Sequence, residues 1–546
     1  MFLRVTVPTA HFAGNRRAGI KPDFKDGSLG FRTHTCGMQS PGLSDAQDDD
    51  GDLSITCWRD NFVIDFGCDL PVPWTVSAQG GCVQPVHVQA GTLLDVLQTI
   101  GPCHSHMMLH ASSSMLLFCQ VSKTASAVMR MLHPDVNLVF AGRYLCDPNA
   151  AVDKLITLAG VFNLRSLSID AISEKRYTPV GVAKLAQVVQ GAHQLEKLKI
   201  RQQELGDRSL FALVPAIAQN TALKHLDLAG NRIGDNDLFY LIPSLAMRGG
   251  VESLDLSANP VGEHAGWFLS KGLEHYTRLR HLRLSCCKLG AGGVEHIASA
   301  LPACQALVEL TLGGVGMGAS GASAVWKFAR DCSTLEMLDL AQNQIRDAGC
   351  ENAAYHLRCC TSLVDIDVSS NWIDVRGMQI LAHEFQRLEK LKRLNLAYNR
   401  IAGMATTLFD ALQHCSLLEI LVLDGCSISN EGATALARML PHTGHLRGLY
   451  VSSNGISDRG VSSFAEMLPH CVALEQFDLA DNSIGDAGFQ AIVSALPQCT
   501  TLRALDLQTN EFRTAPAKAA MFALQPTCPE LRCYFFQHYS DSEASD

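Results

Sequence analysis

Residues 316–321, GMGASG, have the G-x-G-x-x-G spacing that lets backbone amides approach a dinucleotide pyrophosphate. The segment lies between a strand-like and a helix-like stretch, which is the local setting that such a site requires. However, Gly318 and Gly321 each recur at the same position in other copies of an internal repeat. Only Gly316 lacks such counterparts, so the pattern indicates repeat architecture and predicts no cofactor.

A second cluster, Cys103, His104, His106 and His110, places four potential metal ligands within a short segment. On a strand the three histidines would share one face and Cys103 would oppose them, so no tetrahedral set forms without a turn. The spacing matches no zinc motif, and we predict polar and packing residues with no metal.

Catalytic signatures are missing from the sequence: it has no G-x-S-x-G, H-E-x-x-H or G-x-x-x-x-G-K-[ST]. The formal net charge of -10 argues against a nucleic-acid partner, and no apolar run is long enough to span a membrane. We therefore expect a protein that is not an enzyme, with no small-molecule substrate and no membrane partner.

Most of the chain repeats the phrase L-x-x-L-x-L-x-x-N with a period of 28 residues, apart from one step of 27. The copies open at Leu164, Leu195, Leu223, Val251, Leu279, Leu307, Leu335, Leu363, Leu391, Leu418, Leu446, Leu474 and Leu502. Such a period predicts a solenoid of strand, turn and helix units, each of which buries its apolar face against its neighbours. An extended surface built for contact is the consequence.

Three columns of the repeat are predicted to be structural. The first holds an asparagine that can satisfy backbone groups of the turn after each strand, at Asn231, Asn259, Asn343, Asn371, Asn399, Asn454, Asn482 and Asn510. The second holds a glycine that opens each helix, at Gly293, Gly321, Gly349, Gly377, Gly432, Gly460 and Gly488. The third is a small buried apolar slot, at Cys304, Cys332, Cys360, Leu388, Cys415, Cys471 and Cys499.

These units, L-x-x-L-x-L-x-x-N-x-I-x-x-x-G followed by A-x-x-L-x-x-x-L-P-x-C, resemble ribonuclease-inhibitor-type leucine-rich repeats. The resemblance implies an α/β solenoid, a horseshoe with a parallel sheet inside and helices outside. Members of that family include enzyme inhibitors, GTPase-activating proteins, immune sensors and cytoskeletal scaffolds, so it implies the fold more sharply than the function.

Four regions are expected along the chain: a disordered tail (1–58), a small α+β domain (59–163), a solenoid of about 13 repeats (164–538) and an acidic tail (539–546). Within the second region, 138-LVFAGRYLCD resembles a ubiquitin segment and follows a strand-like stretch (115–121) and a helix-like stretch (124–132). A ubiquitin-like β-grasp part over 104–170 would place Val139 in its apolar contact patch.

Cysteine usage points to a reduced compartment, because the chain has no secretory signal, no C-x-x-C pair and no N-x-S/T sequon. We expect a cytoplasmic protein, with association with the cytoskeleton as one candidate role. The basic first 21 residues also resemble an organelle transit peptide, although an unstructured start is the favoured interpretation.

An outward position of the repeat is acidic in half of its copies, at Asp227, Asp255, Asp339, Asp367, Asp478 and Asp506. Neighbouring strands lie ~4.8 Å apart, so these carboxylates repel one another and suit a basic partner. The alternative is that they are ordinary solvated residues of this repeat class.

In later repeats, Ile420, Val422 and Tyr450 are predicted to face outward on adjacent strands. They are flanked by Arg393 and Arg447, with Asp365 and Asp367 one or two repeats away. Aromatic, arginine and apolar side chains together are typical of a binding hot spot, although single exposed apolar residues are also normal.

The leading hypothesis is therefore a non-enzymatic scaffold or adaptor that binds a protein, possibly a basic one, on its concave sheet. One alternative is a GTPase-activating protein resembling the Ran activators, whose long acidic C-terminal tail this chain lacks. Another is an adaptor for the ubiquitin or proteasome pathway through residues 104–170.

Overall fold

The computed structural model describes residues 177–206, 209–247 and 250–513 of the chain, together with strands on either side of this region and a few isolated helical residues. The chain divides into two compact units, Met1–Ile233 and Gly234–Asp546.

The first unit contains the start of the repeat array. Its repeat helices are Pro179–Gly191 and Leu210–Gln219, and its repeat strands are Asn163–Ala171, Lys197–Arg201 and His225–Asp227. Upstream strands are Leu3–Val5, Val7–Pro8, Asp23–Lys25, Ser28–Gly30, Leu53–Trp58, Asn61–Phe66, Val86–Val88, Met108–His110 and Asp135–Gly142. The strand Asp135–Gly142 pairs in parallel with Asn163–Ala171, which pairs in parallel with Lys197–Arg201.

Predictions for the region before the repeats are only partly covered by this description. Part of the ubiquitin-like segment lies in the strand Asp135–Gly142, where Leu138 is opposite Leu167 of the next strand. The stretches 115–121 and 124–132, the side chain of Val139 and most of the candidate metal cluster lie outside the described residues. The ubiquitin-like domain and the four boundaries stay predictions.

The second unit alternates strands and helices in parallel order. Its strands are Ser253–Asp255, His281–Arg283, Glu309–Thr311, Met337–Asp339, Asp365–Asp367, Arg393–Asn395, Ile420–Val422, Gly448–Tyr450, Gln476–Asp478, Ala504–Asp506 and Arg532–Tyr534. Its α-helices are Asp235–Ala246, Glu263–Leu273, Gly290–Ala300, Gly318–Ala329, Arg346–Cys350, Ala353–His356, Val375–Phe385, Ala405–Leu412, Ser429–Met439, Asp458–Met467 and Asp486–Ala495. Short 3₁₀ helices follow several of them, at Leu301–Ala303, Leu357–Cys359, Leu440–His442, Leu468–His470 and Leu496–Gln498.

Side-chain alternation in the three-residue strands divides the surface from the core. In Ile420–Val422, the middle residue Leu421 is fully buried and its two neighbours are partly exposed. The buried side pairs leucine with leucine along the sheet, and the helices cover that side with their apolar faces. The predicted α/β leucine-rich-repeat solenoid, with a parallel sheet on one side and helices on the other, is confirmed.

The asparagine column is buried and links neighbouring repeats. The Asn371 side-chain amide donates to the carbonyls of Leu340 and Val368, at 2.8 and 3.0 Å. Its Oδ1 atom accepts from the backbone amides of Asn343 and Ile345 in the preceding repeat, at 2.8 and 3.3 Å. The structural role predicted for this column is confirmed, because one side chain satisfies backbone groups of two repeats.

The glycine column allows adjacent helices to approach closely. At Gly432, a Cβ atom would lie 2.5 Å from Cγ2 of Ile428 and 2.9 Å from the Cβ of Ala405. Both distances are shorter than van der Waals contact, so a larger residue would push the helices apart.

The cysteine column is buried at Cys304, Cys332, Cys360 and Cys415, as predicted, but half-buried at Cys471 and Cys499. Burial raises the pKa of the Cys304, Cys360 and Cys415 thiols to about 12. These thiols are therefore protonated and unreactive near neutral pH, as expected for packing residues.

Repeat geometry also accounts for Gly316, the one glycine of GMGASG without a column. Its φ of +71° is shared by the residues in the same slot of the next two repeats, Gln344 at +57° and Trp372 at +56°. The slot requires a left-handed backbone whatever residue occupies it. The repeat interpretation of GMGASG is confirmed.

Replacing Asn371 by alanine should destabilise the fold by about 3 kcal/mol, because several buried backbone groups lose their only partner. We expect a lower urea midpoint in unfolding followed by circular dichroism. The control is Asn352→Ala, since exposed Asn352 bonds only to Ser323. Equal midpoints for the two variants would contradict the structural role of the column.

Candidate functional site

The sheet face is the outward surface formed by the first and third residues of each strand of the second unit. Strand register places Arg393 opposite Ile420 and Val422 opposite Tyr450. Ile420 is opposite Gly448 on its other side. The structure therefore brings together four of the residues predicted as a binding hot spot.

Tyr450 lies over Gly448 of its own strand. A Cβ atom on Gly448 would be 3.0 Å from Cε2 of the tyrosine ring. The Tyr450 hydroxyl donates a hydrogen bond to Oε1 of Gln476 on the next strand. Because Gly448 is opposite Ile420, this ring position places the aromatic side chain beside both Ile420 and Val422. We call these three residues the Tyr450 patch.

Charged groups border the Tyr450 patch. Nε of exposed Arg393 is 3.7 Å from Oδ1 of Asp365. Burial is the largest cause of the raised pKa of Tyr450, to which Asp478 and Asp424 add, while the Arg393 charge opposes it. Arg393 is thus close enough to the tyrosine to affect its ionisation.

Arg447 does not border the patch as predicted. It precedes the strand Gly448–Tyr450, its backbone amide bonds to Glu419, and its charge helps to lower the pKa of the Glu419 carboxyl, mainly lowered by Lys392. Arg447 is placed at the start of the strands, because it is one residue too early in the repeat to point outward.

The aspartate column has a structural role that the sequence analysis missed. In four repeats one carboxylate oxygen accepts from the backbone amide two residues later, at 2.9 Å for Asp339, Asp367, Asp478 and Asp506. Asp255 makes the same bond at 3.0 Å and is buried. These side chains are therefore turn-stabilising groups and not merely solvated charges.

In the first unit, Asp227 also pairs with a base. Its carboxylate accepts two hydrogen bonds from Nε of Arg201, at 2.8 and 3.0 Å, and one from its own turn, at the Ala229 amide. The aspartates of the column are thus not equivalent: Asp227 has an internal cation.

Electrostatic repulsion persists in the second unit. Burial raises the pKa of Asp478 to about 6, with further contributions from Asp506 and Asp424, against the effect of the Ala480 amide. Burial likewise raises the pKa of Asp339, with Asp367 adding to it. An ionised carboxylate at these sites costs folding free energy that a cation could recover.

Several site residues were not predicted from the sequence. Gly448 and Gln476 position the Tyr450 ring, and Asp424 adds a further carboxylate, whose Oδ1 accepts from the Ser452 amide at 2.8 Å. The only available signal was a glycine at a strand position two residues before an aromatic one.

Two exposed aromatic residues lie in the turns next to the sheet face. Trp372 and Tyr398 are 59% and 60% exposed, with φ of +56° and +55°. Arg346 lies 5.2 Å from the Trp372 ring centroid, and a Cβ on Gly425 would be 2.6 Å from Cδ1 of Tyr398. Bulky residues are unfavourable in left-handed turns and gain little from burial here, so a role in binding would account for them.

Within the described part of the chain, no group of three or more His, Cys, Asp or Glu side chains could hold a metal ion. The helices of that part also include none with the length and hydropathy to cross a membrane.

A leucine-rich repeat family model matches seven segments of the sequence. They are residues 219–241, 277–298, 331–352, 359–382, 414–437, 445–465 and 470–493. The protein carries leucine-rich repeats. The finer ribonuclease-inhibitor type stays a prediction.

Other comparisons add little to this assignment. No curated protein matches the sequence. Among solved structures, the chain is similar to the crystal structure of an internalin from Listeria monocytogenes, with 16% sequence identity and a TM-score of 0.38, over 79% of this chain and 96% of that chain.

Gly448→Ala should move the Tyr450 ring away from the sheet and break its bond to Gln476, because the new methyl group would lie 3.0 Å from Cε2. A crystal structure of the variant measures this. Gly444→Ala is the control, since a Cβ there has nothing within 4 Å. An unmoved ring in Gly448→Ala would show that the leucine-rich-repeat strand tolerates both groups.

Asp478→Asn should stabilise the protein above pH 6 by about 1 kcal/mol, since each pKa unit corresponds to about 1.4 kcal/mol and partial exposure reduces the effect. The folded state binds the Asp478 proton more tightly than the unfolded state does. Wild-type stability therefore rises as the pH falls through 6, and the advantage of asparagine disappears near pH 4.

Thermal unfolding midpoints at pH 7.5 and 4 test this expectation. Asparagine can keep the turn, because Asn395 accepts from the Ala397 amide at the equivalent position, at 3.1 Å. Asp227→Asn is the opposite control, since it removes the partner of Arg201 and should lower the midpoint at pH 7.5. A loss of stability in Asp478→Asn at pH 7.5 would refute the proposed repulsion.

Proposed function

We propose that the protein is a non-enzymatic interaction scaffold that binds a basic protein partner on the sheet face of its second unit. Recognition is centred on Tyr450, Val422, Ile420 and Arg393. Leucine-rich repeats support a protein-interaction role in general, and the Tyr450 patch is the observation that carries the specific proposal.

The patch has the chemistry of a binding hot spot. An aromatic ring, two aliphatic side chains and an arginine lie on adjacent strands, in a sheet whose other outward residues are mainly polar. The ring is held by Gly448 and Gln476, so little side-chain entropy remains to be lost on binding. Pre-ordered aromatic anchors of this kind contribute strongly to protein interfaces.

Charge complementarity supports a basic partner. Among the described residues, five carboxylates around the patch and along the sheet form no ion pair with a basic side chain: Asp339, Asp367, Asp424, Asp478 and Asp506. Arg283 is already engaged by Glu309, through Nε at 2.5 Å. A partner's lysines or arginines would relieve the repulsion that raises the pKa of Asp478.

The exposed turn aromatics extend this surface. Tyr398 packs over Gly425, three residues after Val422 on the neighbouring repeat, so it lies at the edge of the patch. Trp372 belongs to the repeat before it. We include both as secondary contacts of the partner.

Binding should weaken at least tenfold in Tyr450→Ala and in Val422→Asp, because hot-spot truncations cost about 2 kcal/mol or more. A partner would first be recovered with the full chain and identified by mass spectrometry, then titrated by calorimetry. Matched controls are Tyr355→Ala and Val472→Asp, at residues that are 66% and 72% exposed outside the sheet face.

The acidic contribution makes a separate outcome: affinity should fall as salt is raised from 50 to 500 mM, on the order of tenfold or more. Unchanged affinity in both patch variants would overturn the site. Salt-independent binding would overturn the basic partner but leave the site intact.

Cytoplasmic location, with the cytoskeleton as a candidate assembly, belongs to the same proposal. The GTPase-activating and ubiquitin-pathway alternatives stay untested predictions.

A further inference from the structure

A cleft of about 830 Å³ opens on the helix side of the second unit, away from the sheet face. Its walls come from three consecutive helices, Ala353–His356, Val375–Phe385 and Ala405–Leu412, and the turns after them. A volume of this size accommodates a ligand of small-molecule dimensions or a peptide side chain with its flanking backbone.

The cleft coincides with irregularities in the repeat. The helix before it is interrupted between Cys350 and Ala353, and the helix after it, Ala405–Leu412, has only 8 residues. The latter helix belongs to the single repeat of 27 residues. Two shortened walls thus border one full-length helix, Val375–Phe385, with 11 residues.

Glu384 on that central helix lines the cleft and is only 4% exposed. Its Oε2 atom is buried and accepts no hydrogen bond. The nearest cation is Nε of Arg387, 3.9 Å away and half exposed. A buried carboxylate with such incomplete compensation is costly for the fold.

The repeat does not require a polar residue at this position. Equivalent helix slots in other repeats hold Ala300, Phe328, Met439 and Ala495, all buried. The slot is polar in two consecutive repeats, with His356 preceding Glu384, and Nδ1 of His356 is also buried without a hydrogen-bond partner. Buried polar atoms left unsatisfied in adjacent repeats indicate a function other than packing.

The lining of the cleft is acidic and rich in hydrogen-bonding groups. Asp410 contributes a second carboxylate, and His383 and His414 contribute imidazoles. These charges disfavour an anionic ligand. The described residues hold no group of side chains that could ligate a metal ion, so a complementary ligand is an organic cation.

We propose that this cleft binds an ammonium or guanidinium group, with the Glu384 carboxylate as its counter-ion. Rotation about the last, soft torsion of the Glu384 side chain turns the unsatisfied oxygen toward the ligand. The cation then supplies the charge-assisted hydrogen bonds that the fold leaves unmade. The cation is carried either by a free polyamine or by an arginine or lysine of a peptide.

Calorimetry with the full chain distinguishes these sources. One arm titrates spermidine. The other titrates a capped peptide with one arginine among neutral residues, and the same peptide with citrulline, which keeps the shape and removes the charge. We expect binding of at least one cationic probe, with citrulline at least tenfold weaker than arginine.

Two substitutions of Glu384 separate binding from folding. Glu384→Met places in the slot the residue found at Met439, and should abolish binding of the cationic probe while the thermal midpoint stays equal or rises. Glu384→Gln keeps the shape and should weaken binding at least tenfold. Glu351→Gln is the control, because this exposed carboxylate pairs with Arg376 and does not line the cleft.

Asp410→Asn provides a further measurement that does not disturb the core, since Asp410 is exposed, and should weaken binding severalfold. The proposal is overturned if neither cationic probe binds the wild type at millimolar concentration. It is also overturned if citrulline binds as well as arginine, or if a folded Glu384→Met binds unchanged. Failure here leaves the sheet-face partner unaffected, because its test uses different residues.

Discussion

The buried asparagine at the end of each strand is the interaction on which the repeat array depends. A strand of three residues makes few backbone hydrogen bonds, and the turn after it leaves carbonyls and amides inside the protein. Asn371 satisfies these groups in its own repeat and in the preceding one. Because this side chain must reach both repeats, strand spacing is held constant along the array, and the buried leucines remain in register.

The same turn limits which surface residues are free to recognise a partner. Oδ1 of Asp478 is occupied by the Ala480 amide, and equivalent aspartates do the same in other repeats. A column that appears functional from its charge is therefore partly architectural. Tyr450, Val422 and Ile420 have no such duty, since no backbone group of the turn depends on them. Their apolar surface costs solvation without stabilising the turn, which is why they are better indicators of binding than the aspartates.

Periodicity predicted the strands, the asparagine ladder and the glycine slot, because each depends on contacts that every repeat makes in the same way. It could not predict the position of the Tyr450 ring, which depends on a missing side chain at Gly448 and an acceptor at Gln476 on another strand. Arg447 was misplaced for a related reason: a one-residue offset takes it from the sheet face to the strand start. Residues that act through neighbours in other repeats need coordinates to be found.

The two sides of the array respond differently to a change in repeat length. In the repeat of 27 residues, Arg393 remains opposite Ile420 and Leu394 opposite Leu421, so the sheet absorbs none of the missing residue. Hydrogen bonds at fixed spacing tolerate no gap, whereas helices packed through side chains tolerate a shorter neighbour. The loss therefore appears as a short helix beside the cleft that contains Glu384. In an array of this kind, the sheet supplies a continuous contact surface, and concave sites for small groups arise in the helix layer wherever the period is broken.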